Sequence, residues 1–355
     1  MHTKAPATAA NAVCGSVTSS GTITRADREQ DNVADVALET VAEKRPRRRV
    51  GERLYQETWE TVAHRFFEPE RLEKWQRWQH KFDGQIKSVA SSMEFANQML
   101  KSLKDPYTEL TPRSFEVLTN DKEPVVSTMI LPENIGYVRL TSFYPGTTAS
   151  QLRHGLLEVS GCRGIVLDLR GNGGGSTDQA IACAQLFLDR GGIVTYESRI
   201  WRSNSFRRTE FSLEPNRLLK KISSGESVRV ISSKRKYRRV LKKSMPVVVL
   251  VDSGSASSSE LLLGALKDNG RVLVIGTPTF GKGIGQSVFK HMPNGTELSV
   301  TTFKYYTPNG HWAGDAHRGR NPIQPDWHVE GRGRIYRSSL KRDKQLSAAW
   351  EHLAA

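Results

Sequence analysis

The chain has 355 residues, 37% of them hydrophobic, with 52 Lys and Arg against 37 Asp and Glu, a formal net charge of +15 and a pI near 9.8. That apolar content can build one large core or two modest ones, and no run approaches the roughly 18 consecutive apolar residues of a membrane span. The positive excess suits an anionic partner but carries no information about fold.

Residues 1–50 are rich in Ser, Thr and Ala and hold no acidic residue before Asp27. They lack the apolar core of a secretory signal, so no export signal is readable and the default compartment is the cytoplasm. The composition predicts a disordered segment, with a transit peptide as the alternative. Residues 51–120 predict a helical lead-in. Leu54, Trp59, Val62 and Phe66 in one run, and Leu72, Trp75, Trp78 and Phe82 in the next, recur at spacings near three and four. A third run, SMEFANQMLKSL, follows, and DPYTELTPRSF then breaks the pattern with two prolines. The Trp and His residues here are expected to pack, because no partner residues share their spacing.

From Val125 strands alternate with helices. IGYVRL reads as a strand, ASQLRHGLLEVS as a helix, GIVLDL as a buried strand and TDQAIACAQLFLDR as a helix. VVVLVD is a second buried strand, SSSELLLGALKD a helix and RVLVIG another strand. This predicts an α/β core over residues 121–335, a mainly parallel sheet covered by helices, with function gathered in the loops beyond the strands' carboxyl ends. Within it, residues 196–246 read as a basic insertion carrying 15 Lys or Arg against four Glu and no Asp. Residues 336–355 close the chain with a helix. Cys14, Cys162 and Cys183 cannot all pair and lie in no metal-ligand spacing, so they read as buried or incidental thiols.

Two strand-to-helix loops carry chemistry. In DLRGNGGGS, Gly173 to Gly175 allow positive φ and close approach, so that amide N–H groups can face an anion. The loop fits neither a dinucleotide fingerprint nor a P-loop, and by itself it is equally a flexible turn. In SGSASSSE, Ser257 and Glu260 fit the S-x-x-E capping box, which alone would explain them. A serine at this turn also sits where helix N-terminal amides stabilise negative charge. Lys282, in GTPTFGKGIGQ after strand RVLVIG, changes the balance. Adjacent parallel strands would bring it beside Ser257, and a buried lysine can lose its proton near neutrality and act as a base.

Taken in order, DLRGNGGG, GSASSSELLLGALKD, GTPTFGKGIGQ, YYTPNG and IQPD resemble the carboxyl-terminal processing peptidases, or tail-specific proteases, over about residues 130–330. These are serine endopeptidases with a Ser-Lys dyad on a crotonase/Clp-protease-like α/β sandwich. The resemblance implies Ser257 as nucleophile, Lys282 as general base, Gln286 as the support of the lysine, and the backbone N–H groups of Gly175 and Ser258 as oxyanion hole. Asp268 matches a supporting acid that is important in some members of the family. The resemblance further implies a protein or peptide substrate, no metal and no organic cofactor, and an exported or lumenal compartment, against the cytoplasmic default.

The family usually inserts a PDZ domain between lead-in and core, and the residues between Phe115 and Ile135 are too few to hold one. A catalytically silent ligand-binding relative on the same fold is the main alternative. A crotonase-like acyl-CoA enzyme, or a nucleic-acid binder borrowing the scaffold, are others, although no nucleic-acid motif is present. A Ser-His-Asp hydrolase is disfavoured because no G-x-S-x-G elbow surrounds Ser257, and His291, His311, His317 and His328 read as structural or exposed. In the basic segment, SKRKYRRVLKK suggests docking of an acidic protein or another anionic surface.

Overall fold

A computed structural model describes residues 50–112, 123–315, 317–331, 340 and 342–355. The expectation of disorder for residues 1–50 therefore falls outside the described residues but for Val50. In chain order the elements are α1 (Val50–Arg65), α2 (Val89–Lys101), β1 (Glu109–Thr111), β2 (Val126–Leu131), β3 (Ile135–Leu140), α3 (Thr148–Glu158), β4 (Gly164–Asp168), α4 (Thr177–Ala184) and β5 (Gly191–Arg199). They continue with β6 (Phe206–Glu214), β7 (Arg217–Ser224), β8 (Ser227–Lys234), β9 (Val247–Val251), α5 (Ser258–Asp268), β10 (Leu273–Gly276), β11 (Ile284–Phe289), β12 (Glu297–Tyr306), β13 (Trp327–His328) and α6 (Lys344–Ala354).

The uninterrupted apolar runs are central strands because both of their faces are covered. All five residues of β4 and of β9 are buried. Val247, Val249 and Val251 point into one core with Leu152, Leu156, Ile181 and Leu262 of α3 to α5, while Val248 and Leu250 point into a second core with Leu346, Ala349 and Leu353 of α6. The period of two thus decides which layer each valine meets. The strand order is β13-β10-β9-β4-β3-β2, parallel except for the β2–β3 pair. This is the α/β architecture that the alternation predicts.

A second sheet of seven strands, antiparallel throughout, was not announced by that alternation. Its order is β1-β12-β5-β6-β7-β8, with β11 also on β12. Ile193, Val194, Leu213 and Tyr305 from this sheet join the core of α3 to α5, so the helix layer lies between the two sheets. The basic segment 196–246 supplies the last four residues of β5 and all of β6, β7 and β8, and is thus the body of this sheet. Arg235, in the cluster read as a docking surface, is buried: its guanidinium donates to the carbonyls of Asp189, Gln185 and Leu188 at 3.0, 2.7 and 2.6 Å. Arg239 pairs with Asp189 at 3.0 Å.

The helical lead-in completes its core with the second sheet, where Met292, Leu298 and Val300 pack among Leu54, Trp75, Trp78 and Leu100. The run read as a helix around Trp75 stays as two 3-10 turns, Pro69–Leu72 and Trp75–Trp78. Its carbonyls are met by tertiary donors, Trp59 Nε1 to Trp75 O at 3.2 Å and Tyr55 OH to Trp78 O at 2.6 Å, and the local bond to Trp78 O, from Lys81 N at 3.3 Å, spans three residues in place of the four of an α-helix. Among the described residues no helix is long and apolar enough to cross a membrane.

Candidate active site

The site lies where the loops after β4, β9 and β10 meet at the carboxyl ends of neighbouring parallel strands. The turn after β9 brings Ser257 to the start of α5 with φ 57° and ψ −115°, a conformation that costs a serine roughly 1–3 kcal/mol and persists only where its surroundings enforce it. Those surroundings are the other serines of the run. Ser255 Oγ donates to Leu169 O at 2.9 Å, Ser258 Oγ to Gly175 O at 2.8 Å and Ser259 Oγ to Asn172 O at 2.8 Å. Asp252 Oδ1 accepts the N–H groups of Gly171 and Gly254, both at 2.9 Å. The flanking serines therefore stitch the Ser257 turn to the loop after β4.

That loop needs glycine for proximity. A Cβ on Gly174, at φ 100°, would stand 2.8 Å from Ser257 Cβ and 2.9 Å from Ser258 N. Gly175 forms a parallel bridge with Phe143, and neither its N–H nor that of Ser258 donates a hydrogen bond among the described residues. Two adjacent unused donors thus lie beside Ser257. The loop is anchored from behind by Arg170, which grips Asp168 at 3.0 and 2.7 Å and the helix-capping Asp343 of α6 twice at 2.8 Å.

Lys282 follows Gly281 in the loop after β10. Its Nζ donates to Gln286 Oε1 at 3.1 Å and stands 3.8 Å from the centroid of the Tyr107 ring. Burial pushes its pKa below the ordinary lysine value, against the opposing pull of the Asp105 and Glu260 carboxylates. No hydrogen bond joins Lys282 Nζ to Ser257 Oγ in this structure.

What joins the two loops is Glu260, which is fully buried. Its Oε2 accepts the N–H of Ser257 and of Lys282, each at 2.9 Å; its Oε1 accepts Thr279 Oγ1 at 2.6 Å and Gly281 N–H at 2.8 Å. Four donors compensate the burial of this carboxylate. The Tyr305 hydroxyl adds a second tie, lying against Ser257 O at 2.9 Å and against Lys282 O.

Of the residues singled out by sequence, Ser257, Lys282, Gln286, Gly175 and Ser258 are therefore brought together, and Asp268 is not. It ends α5, about 15 Å of helix rise from Ser258, and accepts the Asn309 N–H at 2.9 Å. Sequence reasoning missed the second role of Glu260, for which the local S-x-x-E match offered only capping. It also missed Tyr107 and Asp105, since a Pro-containing break after a helical run carries no signal for chemistry.

The family model for peptidase family S41 matches residues 134–329. The chain belongs to peptidase family S41. This S41 chain is 33% identical over 202 residues, 57% of its length, to a chloroplastic C-terminal processing peptidase of Tetradesmus obliquus, and 35% identical over 200 residues, 56% of its length, to a carboxyl-terminal-processing protease of Synechocystis sp.. Those matches span 37% and 38% of the two relatives, so this S41 chain accounts for less than half the length of either. Among solved structures, a photosystem II D1 C-terminal processing protease superposes with a TM-score of 0.56 at 19% identity, covering 79% of this chain and 93% of its own. A lipoprotein from Streptococcus agalactiae superposes with a TM-score of 0.61 at 17% identity, covering 88% and 99%. At such identities these two likenesses concern the fold.

Proposed function

We propose that the protein is a serine endopeptidase in which Ser257 attacks a peptide carbonyl and Lys282 takes its proton. The observation that carries this reading is the Glu260 carboxylate, which holds the backbones of both residues on one buried anchor. The Gly175 and Ser258 N–H groups receive the oxyanion, and loss of one such donor typically costs about 100- to 1,000-fold in rate. Lys282 returns the proton to the leaving amine, and water then hydrolyses the acyl-enzyme. Gln286 holds the lysine from the far side. The Ser257–Lys282 hydrogen bond forms when substrate arrives, as catalytic hydrogen bonds commonly tighten only in the Michaelis complex. The test is incubation with casein, an unfolded protein. Wild type degrades it and Ser257→Ala does not; equal degradation, or none by either, overturns the reading.

Recruitment follows from the second sheet. Only residues 112–125 lie between β1 and β2, too short a stretch to fold as a domain of its own. The exposed cations of the basic segment are suited to the task of drawing in an acidic polypeptide by electrostatic steering. With Arg235 and Arg239 committed to the structure, the available charges of the cluster include Lys234, Lys236, Arg238 and Lys242, all exposed. Reversing these four to Glu slows cleavage of an acidic protein several-fold at low salt. The difference vanishes near 1 M salt, where the Debye length is about 3 Å. Cleavage of a short neutral peptide is unchanged. Equal losses on both substrates would exclude the role.

A further inference from the structure

The general base is touched by a part of the chain far from the catalytic loops in sequence. The turn DPYT, residues 105–108, follows the helical lead-in and reaches across to Lys282. Asp105 is buried and closes the turn on itself: its Oδ1 accepts the Tyr107 N–H at 3.1 Å and its Oδ2 accepts Thr108 Oγ1 at 2.7 Å. Thr108 Oγ1 in turn accepts the Thr301 N–H at 3.1 Å, Thr301 Oγ1 accepts Gln286 Nε2 at 3.0 Å, and Gln286 Oε1 accepts Lys282 Nζ at 3.1 Å. Lys282 Nζ over the Tyr107 ring completes a closed circuit running from lead-in to β12, to β11, to the base and back to the lead-in.

We propose that this turn is the resting seat of the protonated Lys282 side chain, with Tyr107 as the positioning residue that holds the amine on its ring face, away from Ser257, until the proton is lost. The proposal rests on Lys282 acting as the base. An aromatic face attracts an ammonium through its quadrupole and has no such hold on a neutral amine. The seat therefore favours the form that cannot accept the serine proton and releases the form that can. Other groups facing the amine act in known directions. Asp105 and Glu260 also favour the cation, and burial opposes it and prevails.

Removing the ring should let Lys282 lose its proton at lower pH. The experiment uses the full chain with Ser257→Ala, so that no turnover intervenes, and reads acetylation of Lys282 by acetic anhydride across pH with mass spectrometry. The midpoint lies below that of an ordinary lysine. Tyr107→Leu moves it down by about half to one pH unit, and Tyr107→Phe, which keeps the ring, restores it. Asp105→Asn moves it down as well, and serves if the leucine variant fails to fold by circular dichroism. With Ser257 present, the acidic limb of kcat/KM on a peptide shifts in the same direction.

An unchanged or raised midpoint in Tyr107→Leu, or a phenylalanine variant shifted as far as the leucine one, overturns the seat. If the labelling midpoints move as expected while the wild type cleaves no peptide, the seat stands and the peptidase reading falls.

Discussion

Lys282→Ala lowers kcat/KM for peptide hydrolysis by about four to six orders of magnitude, and adding Ser257→Ala to it costs almost nothing more. The reason is that neither group works without the other. A serine hydroxyl is a poor nucleophile until its proton has an acceptor, and a base beside an alanine has nothing to activate. Burial holds Lys282 below its ordinary pKa, which makes the amine available as that acceptor. Thermal unfolding of both variants stays within a few degrees of wild type, since the Lys282 side chain gives up one hydrogen bond to Gln286 and the Ser257 hydroxyl is not the anchor of its turn. A Lys282→Ala enzyme retaining a tenth of wild-type activity would assign the base elsewhere, as would double-mutant losses that multiply.

Glu260 gives the second large effect, and it differs in kind. Glu260→Gln keeps the volume but places an amide NH2 where a carboxylate oxygen now accepts two donors. Whichever way the amide turns, it faces either the Ser257 and Lys282 N–H groups or the Thr279 hydroxyl and Gly281 N–H. At about 1–3 kcal/mol for each buried donor left unpaired, the variant loses about 2–6 kcal/mol of stability. Activity falls at least about 100-fold because loop displacements near 1 Å are enough to do so. The loss should appear in kcat more than in KM, as the carboxylate positions the reacting groups and touches no substrate. Calorimetry and steady-state kinetics on the same preparation check both; activity within threefold of wild type at an unchanged Tm would show that the two loops hold their places without it.

Much of the parallel sheet was legible in the chain because its determinants are local. Runs such as Val247–Val251 are too apolar for a half-exposed strand and too short for a helix, so two-sided burial follows. The turn at Ser257 was legible for the same reason, a serine cluster between such a strand and a helical period. The antiparallel sheet was hidden by its composition. β8 has all eight residues exposed, including Val228, Val230 and Ile231, and a strand without a buried face shows no alternation to read. Its charges suggested a docking insertion, whereas Arg235 is spent on four carbonyls.

The sequence by itself determined the α/β core, the family and the five residues now gathered at one end of the parallel sheet, because motif residues sit at strand ends and the strands themselves are readable as hydrophobic runs. Only the tertiary structure decided that Glu260 serves two loops and that Tyr107 lies against Lys282. Each of these depends on which atoms meet across 19 to 175 residues of intervening chain, as Glu260 with Thr279 and Lys282 with Tyr107 do. A buried carboxylate has more acceptor sites than one cap can fill, and a lysine stem has several rotamers. Which donors and which ring complete them is settled by packing, and packing has no local signature.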